Sequence, residues 1–193
     1  MWGFFFMDKN EVRQKILKQR LSLSEDKVRE YSDIIQGHVL KSPYWPHKGR
    51  IGIYSSMKNE VHTHKLFQRA LEQGLHVYFP RVEQGLFYYE VNGPEDLQRG
   101  AWGIMEPIRH CPILPQDDKL DLIVVPGIVF SKDCHRIGYG RGFYDRVIGV
   151  LGEVGVGLAF DFQVLSDIPI DEWDKRLAAV MTEMHEYKAP SQI

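Results

Sequence analysis

The sequence predicts an α/β protein with three layers, in which helices flank a mostly parallel sheet within a single domain. Short apolar runs alternate with amphipathic segments along the chain, as in folds where strands and helices are interspersed. Residues 120–125 are apolar on both faces, which is typical of a central parallel strand. The 193 residues suffice for one domain with a full hydrophobic core.

The composition is that of an ordinary globular protein, with 44% hydrophobic and 26% charged residues. A formal net charge of −2 gives no electrostatic reason to expect nucleic acid or a membrane as a partner. The two cysteines, Cys111 and Cys134, form no CxxC motif and are too few for a disulfide scaffold. A reduced, cytoplasmic setting is the simplest interpretation. No apolar run approaches the roughly 20 residues that a membrane span needs.

The expected boundaries are an N-terminal extension over residues 1–8, the α/β domain over 9–187 and a tail over 188–193. Residues 1–6 are apolar but lack a basic segment and a cleavage site, so they make a poor signal peptide. Met7 is an alternative start.

The first predicted helix, residues 8–21, carries cations on its apolar side. At 100° per residue, one stripe contains Val12, Ile16, Leu17 and Leu21 together with Lys9, Arg13 and Arg20. Two interpretations stay open for the cations. Their apolar stems can pack while their charges reach water, or Lys9 and Arg13, one turn apart, can face a bound anion.

The remaining elements are predicted in chain order. A second helix is capped by Ser22 or Ser24 and ends at Ser42. Strands are expected at 50–54, 74–80, 86–91, 154–159 and 177–184, with 86–91 as a hairpin partner or sheet edge, and a helix at 63–73. Segments 55–60, 97–107 and 110–119 are predicted loops, and 160–168 is predicted to be irregular. His62 and His64 are two residues apart, but without a third ligand at suitable spacing they fit helix-start surface residues better than a metal site.

Residues 136–146 form the most distinctive stretch, because three glycines alternate with larger residues between flanking cations. A glycine-rich turn that leads into a helix leaves backbone N–H groups unpaired and suits a phosphate. Arg136 and Arg141 add forked donors, and Asp145 fits a ligand for a Mg²⁺ ion that arrives with a polyphosphate. Spacing alone fits equally well a surface turn with a salt-bridged arginine and a capping aspartate.

The same stretch resembles the signature of the 5-formyltetrahydrofolate cyclo-ligase family, also called methenyltetrahydrofolate synthetase. That signature has the form Arg-Leu-Gly-x-Gly-x-Gly-Tyr-Tyr-Asp, and here Ile137 replaces the usual Leu and Phe143 the usual Tyr. The resemblance runs from Lys9 to about Glu183. It implies ATP-dependent cyclisation of 5-formyltetrahydrofolate to 5,10-methenyltetrahydrofolate, with release of ADP and phosphate through a phosphorylated formyl intermediate. It also implies small-molecule substrates and a monomer or weak dimer.

Two other functions are compatible with a glycine loop on such a sheet. One is a non-catalytic nucleotide- or phosphate-binding paralogue of the same fold. The other is a sugar-phosphate isomerase or CoA transferase, which would act without ATP.

The resemblance also implies roles for individual residues. The ATP-binding set is Lys9, Asn10, Glu11, Val12, Arg13, Arg136, Ile137, Gly138, Tyr139, Gly140, Arg141, Gly142, Phe143 and Tyr144. The substrate-binding set is Arg13, Ser55, Glu60, Trp102, Tyr139, Gly140, Arg141, Gly142 and Phe143. The implied Mg²⁺ ligands are Asp145 and Asp174, with Asp171 as the alternative to Asp174. The implied catalytic residues are Arg141 and Lys9. Without the resemblance, Glu60 fits a solvated helix-start carboxylate, and Trp102 fits a ring buried for its area.

Overall fold

A computed structural model describes residues 8–100, 103–151 and 154–190. Its helices are α1 Lys9–Leu21, α2 Glu25–Lys41, α3 His64–Glu72 and α4 Phe143–Val147. Its strands are β1 Arg50–Gly52, β2 His76–Val82, β3 Leu86–Glu90, β4 Leu97–Arg99, β5 Met105–Pro107, β6 Leu122–Val125, β7 Val129–Ser131, β8 Arg136–Ile137, β9 Gly155–Leu158, β10 Val164–Leu165, β11 Ala179–Met181 and β12 Glu186–Lys188.

The central sheet has seven strands in the order β12-β11-β9-β6-β1-β2-β3. The five inner strands are parallel, and β12 and β3 close the two edges in antiparallel pairs. The prediction of a mostly parallel sheet is therefore confirmed, as are the central place of β6 and the hairpin at β3.

The two faces of this sheet are covered by different parts of the chain. Alternate residues of β6 point to opposite sides. Leu122 and Val124 pack with α2 and α3, whereas Ile123 and Val125 pack with Phe130 and the end of α4. This arrangement gives the three layers that the sequence predicts.

The first helix lies away from the main core, against a second, small sheet with the order β10-β7-β8. Val12 and Ile16 of α1 are buried against Val129 and Ile137 of that sheet. Asp8 and Glu11 form a capping box that fixes where α1 begins. Because the glycine stretch follows β8 directly, this packing brings α1 close to it.

Several predictions of local structure are wrong. Residues 97–107 contain the β4–β5 hairpin, and residues 160–168 contain β10, although neither run shows a strand-like alternation. The sequence predicts that Leu151 belongs to the helix after the glycines, but this helix, α4, ends at Val147. Leu21 is 50% exposed instead of packed, while Arg20 is fully buried. Of the two candidate caps of α2, Ser24 accepts a hydrogen bond from the Lys27 N–H.

Among the described residues, none of the helices combines the length and the apolar composition of a membrane span.

Candidate active site

The strand order of the central sheet reverses between β1 and β6. From β1 the chain continues to β2 on one side, and from β6 it continues to β9 on the other. In open α/β sheets such a reversal leaves a crevice at the carboxyl ends of the strands, where ligands bind. The loop 53–63 after β1 and the loop that begins at Pro126 after β6 both start there, so this is the expected place for a site.

A tight turn in the loop after β1 places Glu60. Lys58 and Asn59 both have left-handed φ angles, of 49° and 56°. The Glu60 N–H donates to the Met57 carbonyl at 2.9 Å, and the Met57 N–H donates back to Glu60 Oε2 at 3.0 Å. The carboxylate is thereby fixed by its own turn and is only 5% exposed.

Arg20, near the end of α1, joins both loops of the crevice. Its guanidinium is fully buried and donates to the Lys58 carbonyl at 3.2 Å and to the Gly127 carbonyl at 3.0 Å. Its Nη2 donates to the Tyr139 hydroxyl at 2.7 Å and lies 3.8 Å from Glu60 Oε1. Three separate segments are therefore held by one side chain.

The Glu60 carboxylate completes this network, because the Tyr139 hydroxyl donates to its Oε1 at 3.3 Å. Burial raises the pKa of Glu60, and the charge of Arg20 opposes that rise. Burial, reinforced by the charge of Glu60, also raises the pKa of Tyr139 to about 12. Tyr139 thus keeps its proton at neutral pH and serves as a hydrogen-bond relay between the arginine and the carboxylate.

The glycine loop presents unpaired backbone donors. Gly140 and Gly142 have φ angles of 90° and 62°, which other residues adopt only with strain. Within the described chain, the N–H groups of Gly140, Arg141 and Gly142 donate no hydrogen bond. Since α4 has only five residues, its dipole adds little. These free N–H groups, together with the nearby cations, are therefore the part of the loop that is suited to an anion.

Cations from α1 reach the same loop. Arg13 Nε donates to the Gly138 carbonyl at 2.8 Å, and a Cβ at Gly140 would lie 3.4 Å from Arg13 Nη2. Lys9 Nζ lies 2.6 Å from Asp171 and 2.5 Å from Asp174. Burial lowers the pKa of Lys9, but the hydrogen bonds to both aspartates and their charges raise it by more, so the pKa of Lys9 is raised. Of the two α1 cations, Arg13 is in contact with the loop and Lys9 is held by carboxylates.

The residue that opens the stretch, Arg136, is buried and donates to Asp145 Oδ1 at 2.9 Å. Its Nε is buried and has no hydrogen-bond partner in the described chain. The Lys175 N–H also points to Asp145 Oδ1, at 3.4 Å. Asp145 therefore lies beside the segment that carries Asp171 and Asp174.

The two carboxylates suggested for Mg²⁺ fit the ion in chemistry and in neighbourhood, although both are engaged by cations. Asp145 is paired with Arg136, and Asp174 with Lys9. No group of three or more His, Cys, Asp or Glu side chains in residues 8–100, 103–151 and 154–190 is arranged to hold a metal. Two carboxylates are nevertheless enough for Mg²⁺ when substrate phosphates supply further oxygens.

The other predicted residues lie in varied settings. Arg141 is exposed, and no hydrogen bond or ion pair of the described residues involves its side chain. Ser55 is half-buried in the loop after β1, and Phe143 and Tyr144 are half-buried at the start of α4. The side chains of Val12 and Ile137 are buried, so only their backbones can meet a ligand. Asn10 and Glu11 are engaged locally, with Arg13 and the Asp8 N–H, and Trp102 lies outside the described residues.

Sequence reasoning missed Arg20 as a member of the site. The signal was its place on the apolar stripe of α1, where Val12 and Ile16 are also buried.

The two neighbouring histidines around the start of α3, His62 and His64, contact each other edge to face, with ring centroids 6.0 Å apart.

Fold and site together define an α/β protein whose crevice at the strand reversal combines free backbone donors, cations and a buried carboxylate. The model of the 5-formyltetrahydrofolate cyclo-ligase family matches residues 6–183, and the chain belongs to that family.

Relatives and solved structures agree with this. A probable 5-formyltetrahydrofolate cyclo-ligase of Caenorhabditis elegans is 28% identical, covering 91% of this chain and 92% of the relative. The 5-formyltetrahydrofolate cyclo-ligase of Mus musculus is 29% identical, covering 86% and 90%. The NMR structure of Aquifex aeolicus 5,10-methenyltetrahydrofolate synthetase superposes with a TM-score of 0.84 at 32% identity, covering 97% and 95%.

Proposed function

We propose that this protein catalyses the ATP-dependent cyclisation of 5-formyltetrahydrofolate to 5,10-methenyltetrahydrofolate, with release of ADP and phosphate. The observation that carries the proposal is the position of the glycine loop. It contacts Arg13 of α1 on one side, and through Tyr139 it contacts the buried Glu60 on the other. A triphosphate on the loop would therefore lie next to a polar pocket fit for a second, hydrogen-bonding substrate.

The reaction needs activation of a poor leaving group. The formyl oxygen attacks the γ-phosphorus while the bond to the β–γ bridging oxygen breaks, so ADP leaves. N10 then attacks the activated formyl carbon and loses its proton, and the C–O bond breaks to release phosphate. The ring closes to the methenyl product without any covalent bond to the protein.

Such chemistry asks the protein for positioning and for stabilisation of charge. The free N–H groups of Gly140, Arg141 and Gly142 would hold the phosphate oxygens. Arg141 is the best candidate to stabilise the transition state, since its side chain is exposed and unpaired in the described chain. Lys9 and Arg13 add positive charge from α1.

The folate side of the pocket would be formed by Glu60, Tyr139, Ser55 and Phe143. Glu60, whose carboxylate is fixed by the turn 57–60, would accept hydrogen bonds from N–H groups of a pterin ring. Trp102 remains a proposed neighbour of that ring.

Asp145 and Asp174, with Asp171 as the alternative, are the proposed holders of Mg²⁺. When bound, Mg²⁺ neutralises phosphate charge and orients the polyphosphate. Mg²⁺ would compete with Arg136 and Lys9 for these carboxylates, and the phosphates would compete with the carboxylates for the two cations. We propose that Lys9 turns to the phosphates once nucleotide binds. We also propose a single α/β domain over residues 9–187 and a cytoplasmic setting. The protein would be a monomer or weak dimer without nucleic-acid partners. Net charge −2 and two cysteines, which are buried and free, support it.

The test is an absorbance assay for the methenyl product with purified protein, 5-formyltetrahydrofolate, ATP and Mg²⁺. The proposal expects a rise in absorbance that disappears when ATP or Mg²⁺ is omitted. No rise with folded protein would overturn it. ATP binding without folate binding would indicate the nucleotide-binding paralogue, and activity without ATP would indicate an isomerase or transferase.

A further inference from the structure

The crevice contains one buried charged residue that neither the glycine motif nor the proposed chemistry uses, namely Arg20. It is fully buried, and its guanidinium contacts three segments that are far apart in the sequence. Its acceptors are the Lys58 carbonyl after β1, the Gly127 carbonyl after β6 and the Tyr139 hydroxyl in the glycine loop. These are the two walls of the crevice and the loop that faces it.

The direction of the hydrogen bonds in this network is fixed by chemistry. An arginine side chain has donors and no acceptor. The Tyr139 oxygen must therefore accept from Arg20, and its single proton is left for Glu60 Oε1 at 3.3 Å. Glu60 Oε2 is occupied by the Met57 N–H. One side chain thus sets the orientation of the hydroxyl and, through it, of the carboxylate.

The backbone adds a second tie between α1 and the loop after β1. Asn59 Nδ2 donates to the carbonyls of Arg20 and Leu23, at 3.3 and 3.0 Å. The turn that carries Glu60 is therefore bound to the end of α1 by both its side-chain and its main-chain groups. Lys58 Nζ also lies 5.4 Å from the centre of the Tyr139 ring. The network joins the folate side of the crevice to the glycine loop.

We propose that Arg20 is a positioning residue for folate binding, which acts by orienting the Tyr139 hydroxyl and, through it, the Glu60 carboxylate as a hydrogen-bond acceptor at the crevice. This inference rests on the proposed function and names a residue that the glycine motif does not contain. Arg20 touches neither nucleotide nor folate in this account. It works through the two side chains that do.

The charge of Arg20 has a consequence for pH. The groups that face Glu60 come from α1, from the loop after β1 that includes its own turn, and from the glycine stretch: Arg20, Tyr54, Lys58, Tyr139 and Tyr144. Burial raises the pKa of Glu60, and Arg20 is the largest influence that lowers it. Removing the cation raises this pKa further, so Glu60 takes up a proton at a higher pH. Folate affinity must then fall at a higher pH than in the unmodified protein.

The experiment measures the dissociation constant for 5-formyltetrahydrofolate by calorimetry at several pH values, together with turnover. The variants are Arg20→Met, Arg20→Lys, Tyr139→Phe and the double variant Arg20→Lys/Tyr139→Phe. Arg29→Met is the matched control, because Arg29 is an exposed arginine in the second turn of α2. Tyr139→Phe keeps the experiment decisive if Arg20→Met does not fold, since it removes only a hydroxyl.

We expect Arg20→Met and Arg20→Lys to weaken folate binding about tenfold or more, the scale expected when a hydrogen bond to a charged group is lost. The pH below which folate binding weakens should rise in Arg20→Met only, because the lysine of Arg20→Lys keeps the positive charge. The ATP affinity of the Arg20 variants should stay within about twofold of that of the unmodified protein, much less than the tenfold change expected for folate. If Arg20 works through Tyr139, the double variant should bind folate only slightly more weakly than the weaker-binding of the two single variants.

Two results would overturn the inference: single-variant losses that multiply in the double variant, or Arg20 variants that bind folate like Arg29→Met at every pH. Folate binding without turnover by the unmodified protein would remove the proposed function and leave this inference standing. Absence of folate binding in the unmodified protein would overturn both.

Discussion

The two ends of helix α1 hold their cations in opposite ways. At the first turns, Lys9 and Arg13 are half-buried, and Arg13 donates to the glycine loop at the Gly138 carbonyl. At the last turn, Arg20 is fully buried and all its contacts are with fixed groups of the crevice. The difference teaches that one amphipathic stripe can serve two purposes. Cations near water can move to meet a charged ligand, whereas a buried cation is fixed by its acceptors and orients what surrounds it.

The glycine stretch repeats this contrast with Arg136 and Arg141. Arg136 is buried and paired with Asp145, while Arg141, five residues later, is exposed. If exposure marks the cations that meet the ligand, variants of the exposed ones should lose activity at constant stability. Variants of the buried ones, or of their partners, should lose stability as well.

The largest expected effect is that of Arg141→Ala. Turnover should fall about 10³-fold, the lower end of what a cation on a transferring phosphoryl group contributes. The thermal midpoint should change by no more than about 2 °C, since truncating an unpaired surface side chain changes stability little. Steady-state kinetics and thermal unfolding check this, with the exposed Arg109→Ala as the control. A matching loss of stability would favour a packing role for Arg141.

Asp145→Asn should have the next largest effect, and on two properties. It leaves Arg136 buried without its counter-charge, so the free energy of unfolding should fall by about 3 kcal/mol. The apparent affinity for Mg²⁺ should weaken about tenfold or more if Asp145 is a ligand. Urea unfolding and a Mg²⁺ titration of turnover measure the two. Unchanged metal dependence would exclude Asp145 as a ligand.

Asp174→Asn sharpens the same comparison. Its partner Lys9 is partly exposed and keeps Asp171, so the loss of stability should be clearly smaller than for Asp145→Asn. Mg²⁺ affinity should weaken in the same direction. Asp167→Asn, an exposed carboxylate in the preceding loop, is the control. If Asp171→Asn alone weakens Mg²⁺, the second ligand is Asp171 instead.

The smallest expected effect concerns acid stability. Burial raises the pKa of Asp174, but the hydrogen bond from Lys9 and the charge of Lys9 lower it by more. The pKa of Asp174 therefore lies below its ordinary value. A lowered pKa stabilises the fold above the unfolded-state pKa of about 3.9 and the benefit disappears as pH falls through the folded-state value. Lys9→Met should therefore show a shallower loss of stability with falling pH below about 4. Identical pH profiles for the two proteins would show that the Lys9 pair contributes nothing.

Much of the architecture followed from the sequence because it depends on local patterns. The apolar run at β6 and the alternation of strands and helices define the layers, and the glycine motif marks where a phosphate can bind. The β4–β5 hairpin escaped prediction because strands of three residues show too few alternations to be recognised. For α2 the sequence offered Ser22 and Ser24 as caps, and the structure has Ser24; Asp8, predicted as the first residue of α1, is instead its cap.

The burial of Arg20 could not be predicted, for a physical reason. Helical periodicity gives the direction of a side chain but not how deep it lies or what it meets. Its acceptors belong to residues 38, 107 and 119 positions away. Two of the three are backbone carbonyls, which any residue supplies, so no residue type signals them. The pairing of Arg136 with Asp145 is nearer in sequence, yet its burial also depends on the packing of distant elements.

The measurement that tests the central claim most directly is a crystal structure with a non-hydrolysable ATP analogue, Mg²⁺ and 5-formyltetrahydrofolate. We expect the triphosphate on the N–H groups of residues 140–142, with Arg141 at the γ-phosphate and the pterin ring at Glu60. A triphosphate bound elsewhere on the sheet, with the glycine loop unoccupied, would contradict it.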